Sequence, residues 1–381
     1  MLDYEQIKGD YESFEKPVVM VQVGGKDIDA DKNGFAISNI HVENTSGFEA
    51  SVADFTVYNT FDPVGKVFKF DKVKKYVLIG SPVIISMGYG KKVREVFRGF
   101  ISAVNFVYRR DEIPGIEVHA MDVKGIMMAN CYVKQLKAAS YSEAVNEILK
   151  QSFYQKLKGS DNVFEKIDVA DTPDKKEGGG GQQEATDQTI EMVAESDYEF
   201  VVRAAKRFNY EFFQSSDTII FRKAKSDTES LIELSPETGL ISFEIGYDVT
   251  GLVGSVEVRN TDPGKAKLVK SAQKLKNKMS TGNKAKQLVT KQTKVYIDPT
   301  AASVKDAELR AQYLLEDMSY RFGTLEADIL GLPEMIPGKF IEVKGLGNPV
   351  SNKFYVSSVT HFMEAESFYY THISGKASTL T

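Results

Sequence analysis

Lys339-Phe340-Ile341-Glu342-Val343-Lys344-Gly345-Leu346-Gly347 belongs to a stretch, residues 335–362, whose pattern occurs twice in the chain. Ten residues after Gly345, the stretch continues as Tyr355-Val356-Ser357-Ser358-Val359-Thr360. Earlier in the chain, Pro82-Val83-Ile84-Ile85-Ser86-Met87-Gly88-Tyr89-Gly90 precedes Phe100-Ile101-Ser102-Ala103-Val104-Asn105. Each copy contains a β-branched strand, a Gly-x-Gly turn and a strand of the form aromatic–Ile/Val–Ser–x–Val.

Each copy then continues into another strand-like run, at residues 116–120 and 368–373. β-Branched and aromatic residues that alternate with polar ones between glycine turns are typical of antiparallel strands with one buried face. Any two hairpins share part of this pattern, which leaves chance similarity as the alternative. Because the order and spacing hold over about forty residues, the sequence favours two related β domains in one chain.

The composition is that of an ordinary soluble protein with two or three domains. Of the 381 residues, 42% are hydrophobic and 27% are charged, and the formal net charge is -5. The negative charge argues against general nucleic-acid affinity. The one cysteine, Cys131, excludes an internal disulfide framework and a cysteine-based zinc cluster, and its apolar neighbours predict simple packing.

These patterns predict a β-rich α+β fold with two related antiparallel β-barrel domains and an α/β insert between them. The predicted divisions are an N-terminal arm (1–16, expected to be loose), a first barrel (17–130), the insert (131–239) and a second barrel (240–381). Residues 51–58 alternate strictly between outward and inward positions, as a half-buried strand requires. Residues 61–77 read as a long connection.

Helices are predicted where a capping residue precedes an apolar stripe. Ser140 is followed by Glu143 and by apolar residues at helical spacing. Ser196 begins a second helix that Asn209 is expected to end in a left-handed conformation, and a hairpin follows it. Ser303 begins a third helix with Asp306 three residues later.

Two segments have unusual composition. Four consecutive glycines, residues 178–181, lie in a predicted mobile loop (172–187); without a flanking strand and Lys-Ser/Thr they are a linker rather than a phosphate cradle. A lysine-rich insertion (262–294) lacks the aromatic residues and arginines of a nucleic-acid binder. We interpret it as a solvated loop or helix that faces an acidic partner or a channel lumen through Lys265, Lys267, Lys270, Lys274, Lys276 and Lys278.

The sequence offers little catalytic chemistry. His41, His119, His361 and His372 are far apart and lie in or beside predicted strands, so no metal site is expected. No Gly-x-Ser-x-Gly motif occurs, and no pair of carboxylates stands out from the others. We predict no catalytic residues and no cofactor.

Several segments resemble one known family. Glu195-Ser196-Asp197-Tyr198-Glu199-Phe200-Val201, followed by Tyr210-Glu211-Phe212-Phe213, resembles the E-S-D-[FY]-x-F helix and hairpin of phage late control gene D proteins and of the N-terminal half of VgrG spike proteins. Residues 256–263 are similar to that family's next strand and turn. The helix at 307–322 and the motifs from Pro337-Gly338 to His361 are similar as well, so the resemblance covers residues 80–375 in order.

The resemblance implies a non-enzymatic baseplate hub of a contractile tail. Such hubs are homotrimers whose two barrels per chain form a six-fold-like ring between a hexameric tail tube and a trimeric spike. VgrG chains continue into an oligonucleotide-binding-type domain and a β-helical needle. Because no such repeat follows here, we expect the spike or needle to be a separate polypeptide.

The expected partners are further copies of the chain, a tail tube protein, the spike and other baseplate proteins, with no specific nucleic-acid binding. Since no signal peptide or transmembrane segment is apparent, we expect synthesis in the cytoplasm and assembly into a virion or tail-like particle. Phage, bacteriocin-like particle and secretion apparatus all stay open. The rival hypothesis is a tail-associated peptidoglycan hydrolase or glycan-binding protein, which would need paired carboxylates in a cleft.

Overall fold

The computed structural model describes residues 1–28, 34–159, 161–174, 190–262, 267–274, 283–301, 303–364 and 369–380. It is a β-rich α+β structure with large antiparallel sheets. Among the described residues, none of the helices is both long and apolar enough to cross a lipid bilayer.

The first part of the chain contains most of one half of the main sheet. Its elements are α1 (Tyr4–Asp10), a 3-10 turn (Glu12–Phe14), β1 (Pro17–Val23), β2 (Lys26–Asp27), β3 (Ala36–Thr45), β4 (Val52–Tyr58), β5 (Phe61–Asp62), β6 (Val67–Phe68), α2 (Phe70–Val77), β7 (Pro82–Tyr89), β8 (Lys92–Val107) and β9 (Gly115–Met121). Side chains of β4 alternate between half-buried and buried, which confirms the period-two prediction.

A helical segment with small sheets follows. Its elements are α3 (Val123–Met127), β10 (Tyr132–Leu136), α4 (Tyr141–Leu149), α5 (Ser152–Gly159), β11 (Lys166–Val169), β12 (Ile190–Glu195), α6 (Asp197–Phe208), β13 (Tyr210–Ser215) and β14 (Thr218–Lys223). The predicted caps are confirmed: Ser140 accepts from Glu143 N, Ser196 forms a capping box with Glu199, and Asn209 has φ 56°. The predicted hairpin pairs β13 with β14.

The rest of the chain completes the main sheet and adds a smaller one. Its elements are β15 (Ser230–Leu234), β16 (Leu240–Tyr247), β17 (Ser255–Asp262), β18 (Lys267–Lys274), α7 (Asn283–Thr290), β19 (Thr293–Ile297), α8 (Val304–Ser319), β20 (Gly323–Leu330), β21 (Phe340–Val343), β22 (Asn352–Met363) and β23 (Tyr370–Ala377). Ser303 and Asp306 form the predicted capping box of α8.

The main sheet has thirteen strands and joins the two ends of the chain. Its order is β16-β20-β23-β22-β3-β4-β9-β8-β7-β1-β2, with β21 pairing β22 and β15 pairing β21. In the described residues none of the sheets closes into a barrel, so the two-barrel prediction is not confirmed. Instead, the pairing of β22 with β3 makes one sheet continuous across both repeats.

One apolar core serves both repeats, and the insert has its own. The first core includes Val42 and Phe55 from the first repeat and Leu325 and Ile373 from the second. The Tyr89 hydroxyl donates to the Gly331 carbonyl (2.9 Å), a buried contact between the repeats. A second core lies among α3–α6 and β10–β14, centred on buried residues such as Phe200.

The N-terminal arm packs against the sheet, so the expectation of a loose arm is wrong. Asp3 caps α1 by accepting from Glu5 N (2.9 Å), and Ile7 and Tyr11 are buried. The Tyr11 hydroxyl donates to Glu334 (2.7 Å), which lies in the second repeat. Ile7 and Tyr11 are four residues apart, which places both on one face of a helical turn. This apolar spacing indicates a packed helix, although the arm is polar overall.

Three further predictions need correction. The connection at 61–77 contains α2, whose Val73, Tyr76 and Val77 are buried. Strand β17 pairs with β18 and β19 in a separate sheet on α8 rather than with the second repeat. Cys131, for which the apolar neighbours predict packing in a core, is exposed and directly precedes β10. Beyond residue 174, the predicted glycine-rich loop lies outside the described residues.

Candidate assembly interface

The repeat seen in the sequence is also present in the hydrogen-bond register. Hairpins β8–β9 and β22–β23 pair Phe100 with Met121 and Tyr355 with Lys376, the residues expected from the sequence repeat. Both hairpins skip one residue, Ser102 in β8 and Ser357 in β22. The two serine hydroxyls donate to the carbonyls of His119 and Ser374, each at 3.1 Å. The repeated motif therefore encodes a β-bulge that a serine stabilises.

The repeat extends over five strands with the same neighbours. In the first repeat the order is β7-β8-β9-β4-β3, and in the second it is β21-β22-β23-β20-β16. Every pair within both series is antiparallel. Strand β3 of the first repeat therefore corresponds to β16 of the second, and β8 corresponds to β22.

The two repeats are joined through β22 and β3, which we call the internal junction. Six consecutive residues of β22, 358–363, pair with residues 45–40 of β3. On the core side of this junction His361 lies opposite Val42 and Met363 lies opposite Ile40. All four side chains are at most 7% exposed.

His361 is fully buried at this junction. Its Nδ1 atom lies 2.9 Å from the Tyr369 hydroxyl and 3.1 Å from the Thr371 hydroxyl. Burial lowers the pKa of His361 to about 3, so the imidazole is neutral near pH 7. His361 is therefore an uncharged polar residue within the core at the internal junction.

The internal junction joins β22 to β3. The strands that correspond to these two in the other repeat, β8 and β16, each have an unpaired edge. Among the described strands, none pairs with β16 on the edge opposite β20, or with β8 beyond Phe100 on the edge opposite β9. Large apolar side chains are nevertheless exposed there: Phe106 at 47%, Tyr108 at 65% and Phe243 at 41%. Unpaired edges with exposed apolar residues are typical of surfaces that another chain covers.

An aromatic cluster supports the free edge of β8. The Phe106 ring lies 5.3 Å from Phe68 and 5.8 Å from Phe70, and the Tyr108 ring lies 5.3 Å from Phe61. Contacts at these distances hold aromatic side chains in defined orientations. The exposed rings at this edge are therefore positioned by their neighbours.

The face of the main sheet opposite the core carries acidic residues and histidines. Asp54 Oδ1 lies 2.5 Å from His119 Nδ1, and Asp54 Oδ2 lies 3.4 Å from His41 Nδ1. In the second repeat, His372 lies 2.8 Å from Asp328 and 3.1 Å from Glu326. Although partial burial raises the pKa of Asp54, hydrogen bonds from both histidines outweigh it and bring the pKa below its usual value. Register places further carboxylates on this open face, namely Glu43, Glu117 and Glu244.

The E-S-D motif attaches the insert to the first repeat. Asp197 is buried and accepts hydrogen bonds from Asn130 (2.7 Å), Tyr154 (2.7 Å) and Tyr132. The next residue, Tyr198, donates to the carbonyl of Phe48 in the β3–β4 connection (2.8 Å). The motif therefore holds the insert against the first repeat through hydrogen bonds of Asp197 and Tyr198.

A cleft of about 730 Å³ lies between the insert, α8 and the sheet. It contains the carboxylates of Glu43, Glu49, Glu211 and Asp317. Glu211 accepts from Arg222 (2.6 Å) and from the Tyr355 hydroxyl, so its oxygens have partners. Burial raises the pKa of the Asp122 carboxyl group above its usual value, but Asp122 lies outside this cleft, beside Lys124.

Among the described residues, no group of three histidine, cysteine or carboxylate side chains is placed to hold a metal ion. Of the six predicted surface lysines, Lys270 and Lys274 are exposed on β18, and the backbone of Lys267 lies in the same strand. Lys265, Lys276 and Lys278 lie outside the described residues. Sequence reasoning missed the free edges, for which the signal was the run of aromatic residues at Phe106 and Tyr108.

Comparison with known proteins identifies a family and a fold. The family model described as the Alg8 N-terminal domain matches residues 17–365. The chain belongs to this family. The match does not name the late control gene D family, so that finer resemblance stays a prediction. No curated protein matches the sequence significantly.

Solved structures similar to this Alg8 N-terminal domain chain come from tails and a secretion system. The 43 kDa tail protein of prophage MuSo2 from Shewanella oneidensis has a TM-score of 0.68 at 11% identity, with 94% of this chain and 98% of that chain covered. The tail protein from Neisseria meningitidis MC58 has a TM-score of 0.67 at 13% identity, with 95% and 97% covered.

A third similar structure is the E. coli c3393 protein. It is described as a component of the type VI secretion system that is structurally similar to T4 bacteriophage tail proteins gp27 and gp5. Its TM-score is 0.55 at 10% identity, with 93% of this chain and 76% of that chain covered. At these identities the likenesses establish a common fold.

Proposed function

We propose that this chain is a structural baseplate hub of a contractile phage tail or tail-like injection particle. In this function three copies form a ring that joins a hexameric tail tube to a trimeric spike. The observation that carries the proposal is the pair of unpaired sheet edges, β8 and β16, which match the two strands of the internal junction. Two such edges on one chain suit a ring of identical copies.

The duplication explains how such a ring could meet partners of different symmetry. Each chain presents the five-strand unit twice, so three chains present it six times. Six related surfaces suit a hexameric tube, whereas the insert occurs once per chain and suits a three-fold partner. The likeness of the fold to tail proteins and to a type VI secretion component supports this proposal.

The mechanism in this proposal is mechanical. The ring centres the tube on the spike and transmits the force of contraction between them. Its open sheet faces, with the carboxylates described above, line the channel and keep it acidic. The same proposal includes the division of the chain into an arm, two β domains and an insert, with boundaries after residues 16, 130 and 239. It also includes membership of the late control gene D family and a lysine surface on β18 that faces a partner.

The partners in this proposal are the tail tube, a spike or needle protein and other baseplate proteins. The similar structures include complexes of Francisella VgrG with PdpA, at a TM-score of 0.53 and 10% identity. The chain spans 61% of that VgrG-complex chain, which leaves room there for segments that this chain does not match.

Mass in solution tests the proposal. Sedimentation equilibrium of the full chain over a range of concentrations should show a trimer of 42.4 kDa subunits, or a ring once the tail tube protein is added. A chain that stays monomeric with the tube protein and clears a suspension of bacterial cell walls would contradict the hub and support the hydrolase.

A further inference from the structure

The register of the internal junction can be applied to the free edges of β8 and β16 because the two repeats correspond residue by residue. Phe100 corresponds to Tyr355 and Met121 to Lys376 in the matching hairpins. The bulges at Ser102 and Ser357 keep this correspondence beyond them. Residues 103–107 at the end of β8, together with Tyr108 directly after it, therefore correspond to residues 358–363 of β22.

The correspondence of β3 with β16 follows from their common neighbours. Met121 pairs with Val52, and Lys376 pairs with Thr324, so Val52 corresponds to Thr324. Val52 pairs with Glu43, and Thr324 pairs with Gly246, so Glu43 corresponds to Gly246. Residues 40–45 of the first repeat therefore correspond to residues 243–248 of the second.

We propose that β8 of one copy pairs with β16 of the next copy, antiparallel and in the register of the internal junction. This inference rests on the proposed function and specifies the contact that builds the ring. In that register Phe106 lies opposite Ile245 of the neighbouring copy, as His361 lies opposite Val42. Tyr108 lies opposite Phe243 of the neighbouring copy, as Met363 lies opposite Ile40.

Exposure at the free edges supports a second copy as the occupant. The residues of the internal junction that correspond to Phe106, Tyr108 and Phe243 are His361, Met363 and Ile40, all buried. At the free edges the same positions carry larger apolar side chains that are 41–65% exposed. Pairing between copies would place these side chains in the environment that their counterparts already occupy.

The contact is head-to-tail, because β8 and β16 are different surfaces of the chain. Head-to-tail contacts produce a closed ring when the rotation between neighbours closes, and a filament when it does not. In the proposed ring, internal and intermolecular junctions alternate, and both use the same strand pairing. The sheet then continues without an exposed edge at β8 or β16.

Cysteine crosslinking tests the register. Val107 and Glu244 correspond to Phe362 and His41, whose rings are 4.9 Å apart at the internal junction. The full chain carrying V107C and E244C, with Cys131→Ser to remove the exposed native thiol, should form covalent trimers under mild oxidation. The matched control is A103C with E244C in the same background. In the proposed register, the two cysteines of this control are offset by four residues, about 13 Å along the strand. A disulfide bond cannot span that distance.

The outcomes separate this inference from the proposed function. Crosslinking of the first pair and not of the control supports the register. A reduced protein that sediments as a trimer but does not crosslink, or that crosslinks equally in the control, overturns the register and leaves the hub proposal standing. A chain that stays monomeric when reduced, with and without the tail tube protein, and forms no crosslink overturns both. Circular dichroism of the reduced variants verifies that the substitutions leave the fold intact.

Discussion

Ser102 and Ser357 occupy the same position in the two repeats of this chain. Each is the extra residue of a β-bulge, and each hydroxyl donates to a carbonyl of the neighbouring strand at 3.1 Å. The acceptors, His119 and Ser374, also correspond, and each contacts the corresponding carboxylate, Asp54 or Glu326. Conserved local geometry at two sites so far apart in the chain identifies the repeat as a structural unit.

The matching serines lead to a prediction about stability. Ser102→Ala and Ser357→Ala should each lower the free energy of unfolding by about 1 kcal/mol, since each removes one partly buried hydrogen bond. Urea titration of both variants measures this cost. A large loss for one variant and none for the other would show that the two bulges are not equivalent.

His361 should make stability depend on pH. Its pKa is about 3 in the folded chain and 6.5 in the unfolded chain, so the unfolded state binds more protons between these values. Stability should therefore fall as the pH is lowered from 6.5 towards 3, by at most about 1.4 kcal/mol per pH unit from this group. Denaturant titrations at several pH values measure the slope.

The variant that isolates this effect is His361→Leu, whose stability should depend less steeply on pH than that of the natural chain. His372→Leu is the matched control, because His372 is half-exposed on the open face. An unchanged slope in the His361→Leu variant would assign the pH dependence to other groups.

The exposed aromatic residues of the free edges should control assembly without controlling folding. Phe106→Asp and Phe243→Asp each place a charge where a neighbouring strand would be packed, and should convert the trimer to a monomer. Sedimentation velocity measures the assembly, and thermal unfolding checks the fold. Val133→Asp, at an exposed valine of β10, is the control and should remain trimeric. Monomers in all three variants would remove the specific role of the edges.

Asp197 should be important for stability rather than for activity. Asp197→Ala removes a buried carboxylate that accepts from three side chains and leaves their donors unpaired, which should cost about 2–4 kcal/mol. Asp168→Ala, at an exposed carboxylate of β11, should change the free energy of unfolding by less than about 0.5 kcal/mol. Equal effects of the two substitutions would contradict the fastening role of the E-S-D motif.

The lysine surface on β18 can be tested by charge reversal. If Lys270 and Lys274 face an acidic partner, K270E with K274E should weaken assembly with the tube or spike protein while the chain still folds. The weakening should be greatest at low salt, where exposed charges interact most strongly. Pull-down at two salt concentrations measures it. Unchanged binding at both would remove the lysines from the interface.

Local features of this fold could be predicted from the sequence, because short-range chemistry determines them. Ser140, Ser196 and Ser303 cap the helices that they are predicted to begin. The repeated hairpins were visible because alternation and glycine turns are read within a few residues.

Long-range pairing could not be predicted in this way. Nothing in the sequence near Ser358 indicates that Thr45 lies opposite it, because strand pairing depends on the fold of the whole chain. For the same reason, local sequence patterns predict separate barrels and a loose arm. Tyr11 reads as a surface residue until Glu334, far away in sequence, is placed beside it.

The most direct test is the number of chains in the assembled ring. Electron cryo-microscopy of the purified assembly, viewed along its axis, should show six similar sheet units made by three chains, with β8 of each chain beside β16 of the next. A ring of six chains, an open filament or two repeats that do not superimpose would contradict the proposal that a duplicated sheet allows three copies to meet a hexamer.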